Sequence, residues 1–349
     1  MEDIIYTQSQ PKGKPSLSEL LPVFEEVLPI HLLRAWIQPS GKRFYERLFT
    51  PLILGWGFLF QRLNEDHTCD AAGSHVARGA GDPLDTRHQE PPSRRIKAES
   101  TAAYSKGRKR LPLSVLQEAL RHTGQVVRPW LGAEGWWFGH PVGLLDGTTL
   151  LRPEPALVAH YGRHKSRGKE TYWVVMRVVA AFCLGTGALL GVAEGALQLS
   201  EQALAAAVLA QAVAGSVYVG DRNFGIFQVA QAARHYNVWT VLRMTRQRAR
   251  ALAGRKLHSG EELRGRWTPR AKDHRPPNMS ADPIEGRVRF VRLERNGFRP
   301  GELDLFTALP ACSLPAAGRQ VARGVGPPLC QEHAGDGSAH RQVRRHRTG

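Results

Sequence analysis

The chain has 349 residues, with 48 Lys and Arg against 31 Asp and Glu, a formal net charge of +17 and a pI of about 10.3. That length buries a sizeable core in two or three domains, and that charge points to a polyanion, most simply nucleic acid, ahead of a merely basic surface. Cys69, Cys183, Cys312 and Cys330 are too widely spaced for a zinc or redox motif, the opening MEDIIYTQSQPKGKPS is too polar for a signal peptide, and the expected compartment is the reducing cytoplasm.

Residues 16–130 read as helical. Ser16 with Glu19 forms a capping-box pattern, and Thr50-Pro51 is a cap with proline in the first helical position, opening LILGWGFLFQRL. FTPLILGWGFLF is too short to cross a bilayer. Residues 71–100, rich in Gly, Pro and charge, read as a loop or linker. KGRKR follows, its Lys106, Arg108, Lys109 and Arg110 either a solvated face or a DNA contact. It precedes LPLSVLQEALRHTGQVV, whose apolar positions recur at helical spacing.

The pattern changes near residue 141. VGLLDGTTLL is a short strand interrupted by Asp146. YWVVMRVVAAF and ALLGVAEG predict two more strands joined at Gly185-Thr186-Gly187. That hairpin, rather than a membrane span, explains the apolar run from Val178 to Ala193. Ser200 caps an Ala-rich helix, SVYVGDRNF is a fourth strand ending on Asp221, GIFQVAQAARHY a helix and NVWTVLRM a fifth strand. The order β-β-β-α-β-α-β fits a mixed sheet with flanking helices and no Rossmann unit. Residues 245 to about 307 predict an inserted β-rich subdomain containing the strand pair GRVRFVRLERNG and GELDLFTAL.

In this order the first and fourth strands can lie side by side, bringing Asp146 and Asp221 to one sheet edge. Such a pair suits a hard cation, Mg²⁺ or Mn²⁺, with phosphate oxygens completing the shell. The alternative for each is a turn: Asp146-Gly147 is a common turn dipeptide, and Asp221 can pair with Arg222. Arg163, Lys165, Arg167 and Lys169 form a basic loop around Tyr161, suited to phosphate. Arg243 and Arg246 begin a second basic stripe. His160 and His164 have the spacing of a helical metal pair, but the glycine and basic residues around them argue against a helix.

LLDGTTLL followed by VYVGDRNFG resembles the first two catalytic blocks of DDE transposases of bacterial insertion sequences, in the insertion-sequence-four branch, over about residues 17–307. The resemblance implies an RNase H-like α+β fold: a helical DNA-binding region at 1–135, a catalytic core at 136–244 and a β-rich insertion at 245–310. It implies that Asp146 and Asp221 ligate Mg²⁺ or Mn²⁺. It further implies a nucleoid-associated cytoplasmic protein, with no membrane partner, that is a homodimer when bound to double-stranded DNA, cutting element ends and joining them to a target. Arg222 beside the second aspartate, and Trp267 stacking on a displaced base, join the DNA contacts that it implies; read from the residues, a packed core tryptophan is the favoured alternative for Trp267.

The family's third acid, a glutamate in Tyr-x2-Arg-x3-Glu-x6-Lys, is missing. Residues 311–349 contain no aromatic residue, isoleucine or lysine, and read as a disordered tail. Codons for Gln320–Glu332 can be chosen so that the next reading frame carries the Arg-x3-Glu-x6-Lys spacing, its glutamate straddling the codons of Gly324 and Val325. The expectation is therefore a frameshifted transposase impaired by loss of a ligand, with Glu302, Asp304 and Glu332 as poor substitutes. The alternative is a catalytically dead remnant that occupies element ends.

Overall fold

The computed structural model describes residues 17–40, 48–85, 88–96, 102–130, 136–137, 139–270, 279–294 and 301–309. Ser16, the nucleotide-sequence argument at Gln320–Glu332, Glu332 and the whole of 311–349 lie outside them. Contacts divide the chain into two compact units, Met1–Val126 and Val127–Gly349.

In the first unit the elements are α1 (Leu17–Val27), α2 (Ile30–Ile37), α3 (Pro51–Leu63), α4 (Cys69–His75), α5 (Pro92–Arg95), α6 (Ala102–Arg110) and α7 (Leu113–Val127), which runs to the boundary. Thr50 caps α3 as its sequence predicts, its Oγ1 accepting from the Ile53 amide at 3.3 Å. Ile53, Leu54 and Trp56 of α3 are almost completely buried. The described residues of the stretch expected as a linker, 71–85 and 88–96, are instead folded. Thr68 Oγ1 accepts from the Ala71 amide at 3.1 Å to start α4, a π turn spans Val76–Ala80 with Gly79 at φ 101°, and Val76 and Leu84 are buried in the core. Gly and Pro there punctuate very short helices. Asp82 fastens them by accepting from the Ser93 amide at 2.9 Å.

The second unit is a mixed sheet with helices. Its elements in chain order are β1 (Trp136–Trp137), β2 (His140–Arg152), α8 (Val158–Tyr161), β3 (Lys165–Ser166), β4 (Lys169–Glu170), β5 (Val174–Cys183), β6 (Leu189–Ala196), α9 (Glu201–Leu209), β7 (Val217–Gly220), α10 (Phe227–His235), β8 (Trp239–Met244), α11 (Arg246–Ala253), β9 (Glu262–Trp267), β10 (Ile284–Leu293) and β11 (Gly301–Thr307). The main sheet runs β6-β5-β2-β7-β8-β11-β10-β9, with β1 paired to β2. The pairs β2–β7 and β7–β8 are parallel and the rest antiparallel.

The expected strand–strand–strand–helix–strand–helix–strand order is present. Gly187, at φ 71°, closes the β5–β6 turn, and Ser200 Oγ caps α9 by accepting from the Ala203 amide at 3.1 Å. The expected β-rich stretch is present as β9, β10 and β11, and these strands prolong the core sheet: β11 pairs with β8, Leu305 opposite Arg243. One apolar cluster continues across the join, from Leu145, Leu209 and Phe224 to Val288 and Phe306. Among the described residues no helix is long and apolar enough to cross a membrane.

Candidate functional site

Side-chain alternation assigns the two faces of the sheet. Leu145 of β2, Tyr218 of β7 and Leu242 of β8 join the cluster that includes residues of α9 and α10. Val142, Val217 and Val241 join a second cluster on the opposite face. In β2 and β7, Leu145 lies opposite Gly220. Asp146 and Asp221 are each the next residue along their chains, Asp221 being the first residue past the end of β7; alternation puts Asp146 on the face away from α9 and α10. β2 and β7 are adjacent strands, so the two aspartates follow a paired position at one end of the parallel ladder.

Both aspartates are exposed. The Gly147 amide donates to Asp146 Oδ1 at 2.9 Å, and the Asn223 amide donates to Asp221 Oδ1 at 2.9 Å. The turn reading is therefore correct for Asp221, which also accepts from the Phe224 amide through its backbone carbonyl at 3.1 Å. No ion pair joins Asp221 to Arg222. Oδ2 of each aspartate carries no hydrogen bond, so both carboxylates keep an oxygen for a further partner.

Gly220 lies opposite Leu242 in the β7–β8 ladder, and one step on is Arg243. Arg243 lies on the face away from α9 and α10, because it pairs with Leu305 of the opposite-face cluster. Asp146 in β2 and Arg243 in β8 lie on the same face of the sheet, and Asp221 is the first residue past β7, the strand between them. The turn that holds Asp221 is tightly built. Phe224 is 1% exposed. A Cβ on Gly225 would meet the Arg243 carbonyl, and Arg248 Nη1 donates to the Gly225 carbonyl at 3.0 Å.

Sequence reading missed Glu201 and Asn223. Asn223 Nδ2 donates to Glu201 Oε2, and Gln202 Nε2 donates to Asn223 Oδ1 at 2.6 Å. Glu201 does not complete a triad, however. It lies where a Gly147 side chain would point, 2.8 Å from that Cβ position, and so on the helix face opposite Asp146. Among the described residues no group of three His, Cys, Asp or Glu can hold a metal ion. Asp304 faces Met244, two strands from Asp221. Burial raises its carboxyl above the ordinary range, with Arg246 opposing. Glu302 is taken by Arg246, 2.5 Å away.

The other expected contacts divide. Lys106 and Lys109 are exposed on α6. Arg108 is structural: its Nη1 donates to Gln61 Oε1 at 3.0 Å and its guanidinium lies 5.3 Å from the Phe58 ring centre. Arg110 and Arg222 are exposed. Arg246 is committed to Glu302 and to the face of Phe290. Trp267 takes the core reading. It is 8% exposed and meets Phe227 and Phe306 edge-on, at centroid distances of 6.0 and 4.7 Å, so no base can stack on it without unpacking the core.

The basic loop after β2 is ordered. Lys165 pairs with Glu170 and Ser166 with Lys169 around a tip where Arg167 and Gly168 take φ 50° and 79°. His160 is in α8 and His164 beyond it, so the two do not share a helical face. No protein-family model matches this chain, and no curated protein does.

Proposed function

We propose that this chain is a DNA-binding protein of the transposase type, with an RNase H-like core whose Asp146 and Asp221 hold one divalent cation, Mg²⁺ or Mn²⁺. What supports the reading is the parallel pairing of β2 and β7, whose ladder ends at Leu145 opposite Gly220, one residue before each of the two exposed aspartates. The donor set fits such an ion: each aspartate offers a hard oxygen, and Mg²⁺ ordinarily takes one or two carboxylates and fills its shell with water and phosphate. When bound, the ion supplies a Lewis acid and a more acidic water. The protein's own share is to orient Oδ2 of both aspartates by fixing each Oδ1 on a backbone amide. Arg243 of adjacent β8 adds a cation for a phosphate oxygen.

Two carboxylates can hold one ion but not complete a two-ion site, so strand cleavage is expected to be weak or absent, by several kcal/mol of lost transition-state stabilisation. The same observation favours a second reading, a DNA-binding remnant that occupies element ends without cutting them. Cleavage and gel-shift assays on the same labelled inverted-repeat duplex test both. Residual Mg²⁺-dependent nicking that disappears in Asp146→Ala, with binding retained, supports the first. Binding without nicking in either protein supports the second. No binding by the unmodified chain removes both.

A further inference from the structure

The short hairpin β3–β4 ends in an aromatic pair that belongs to no core cluster. Tyr172 and Trp173 are 64% and 45% exposed, in a protein whose other large rings are mostly buried. Their rings meet edge to face with centroids 6.2 Å apart. They are held in place by the backbone: the His164 amide donates to the Trp173 carbonyl at 3.1 Å, and the Thr171 amide donates to the His164 carbonyl at 2.8 Å. Thr171 Oγ1 adds a bond to the same carbonyl at 2.9 Å. The platform is thus a fixed base of the hairpin. The sequence reading of YWVV as the start of a strand is corrected here, since β5 begins at Val174.

The residues that lead through the hairpin to this pair include Arg163, Lys165, Arg167 and Lys169, against a single acid, Glu170. The last three cations are fully on the surface, and none of the four forms an ion pair among the described residues. Exposed rings flanked by unpaired cations match an unpaired nucleic-acid strand: bases stack on rings of any sequence, and phosphates meet the cations. Duplex DNA offers the cations its phosphates but keeps its bases stacked away from the rings.

We infer that Tyr172 and Trp173, with Lys165, Arg167 and Lys169, form a stacking platform for unpaired DNA. The platform rests on the reading of this chain as a DNA-binding protein, and not on the metal site. Val174 pairs with Arg152 and Ala180 with Asp146, so six strand residues, about 20 Å, separate the platform from the carboxylates. That is about six base pairs of duplex at 3.4 Å each. A strand opened at its end would be gripped there while its duplex portion lay along the sheet edge.

Fluorescence anisotropy of the full chain with labelled dT20 and with a labelled 20-base-pair duplex tests this, at one fixed salt concentration. The paired substitution Tyr172→Ala/Trp173→Ala is expected to weaken dT20 binding at least about tenfold while duplex affinity changes less than about twofold. Trp173→Phe, which keeps a ring, is expected to retain most of the dT20 affinity. Unchanged dT20 binding in the paired variant, or equal loss for dT20 and duplex, overturns the platform and leaves the DNA reading standing. Failure of the unmodified chain to bind either probe overturns both.

Discussion

Gly225 shows how strictly single residues fix the Asp221 turn. An added Cβ there would meet the Arg243 carbonyl of β8, and backbone cannot move aside as a side-chain tip can. Gly225→Ala is expected to destabilise the protein by about 1–3 kcal/mol, read as a lower urea midpoint with an unchanged slope. His75 supplies a second residue-scale expectation. Its ring stacks on Phe60 with centroids 3.8 Å apart, and burial, aided by Arg78, holds its imidazole below the ordinary value. Unfolded, it takes up a proton near pH 6.5; folded, it resists until lower pH. Stability is therefore unaffected by this group above pH 6.5 and falls as pH drops below it. The melting temperature of the full chain should fall between pH 7.5 and 5.5, and fall less in His75→Phe.

At the scale of elements, α9 depends on its first turn. Ser200→Ala removes the bond to the Ala203 amide and is expected to cost about 1 kcal/mol, measurable by the same unfolding titration. Signals of this local kind were legible in the sequence. Thr50, Ser200 and the 185–187 turn each announced themselves because a cap or a tight turn needs its own residue type. The adjacency of β2, which carries Asp146, and β7, which leads into Asp221, was legible one level up, from strand order. What escaped reading depends on partners distant in the chain. No residue of β11 states that it pairs with β8. Arg108 looks like its exposed neighbour Lys109 until Gln61 folds against it. Tyr172 and Trp173 read as strand because apolar residues follow them directly. The 71–100 stretch misled because helices this short carry Gly and Pro at every boundary.

For the whole molecule the charge of +17 makes salt the natural probe. Affinity for duplex DNA should fall steeply with salt, the logarithmic slope being about 0.9 per neutralised phosphate. Replacing Lys165, Arg167 and Lys169 together by alanine should reduce that slope by about two to three, measured by repeating the binding titration across salt concentrations. An unaltered slope would assign those cations to solvent. The mixed sheet gives these charges a frame: β2 carries Asp146, β7 leads into Asp221 and β8 carries Arg243, and the hairpin base lies just before β5.

The pairing of Asp146 with Asp221 around one cation is examined most directly by electron paramagnetic resonance of Mn²⁺ titrated into the unmodified chain, Asp146→Ala and Asp221→Ala, without DNA. The account predicts a single class of bound Mn²⁺ displaced by Mg²⁺, lost in either variant while the fold is retained. Mn²⁺ binding that survives both substitutions unchanged, or that is absent from the unmodified chain, contradicts it.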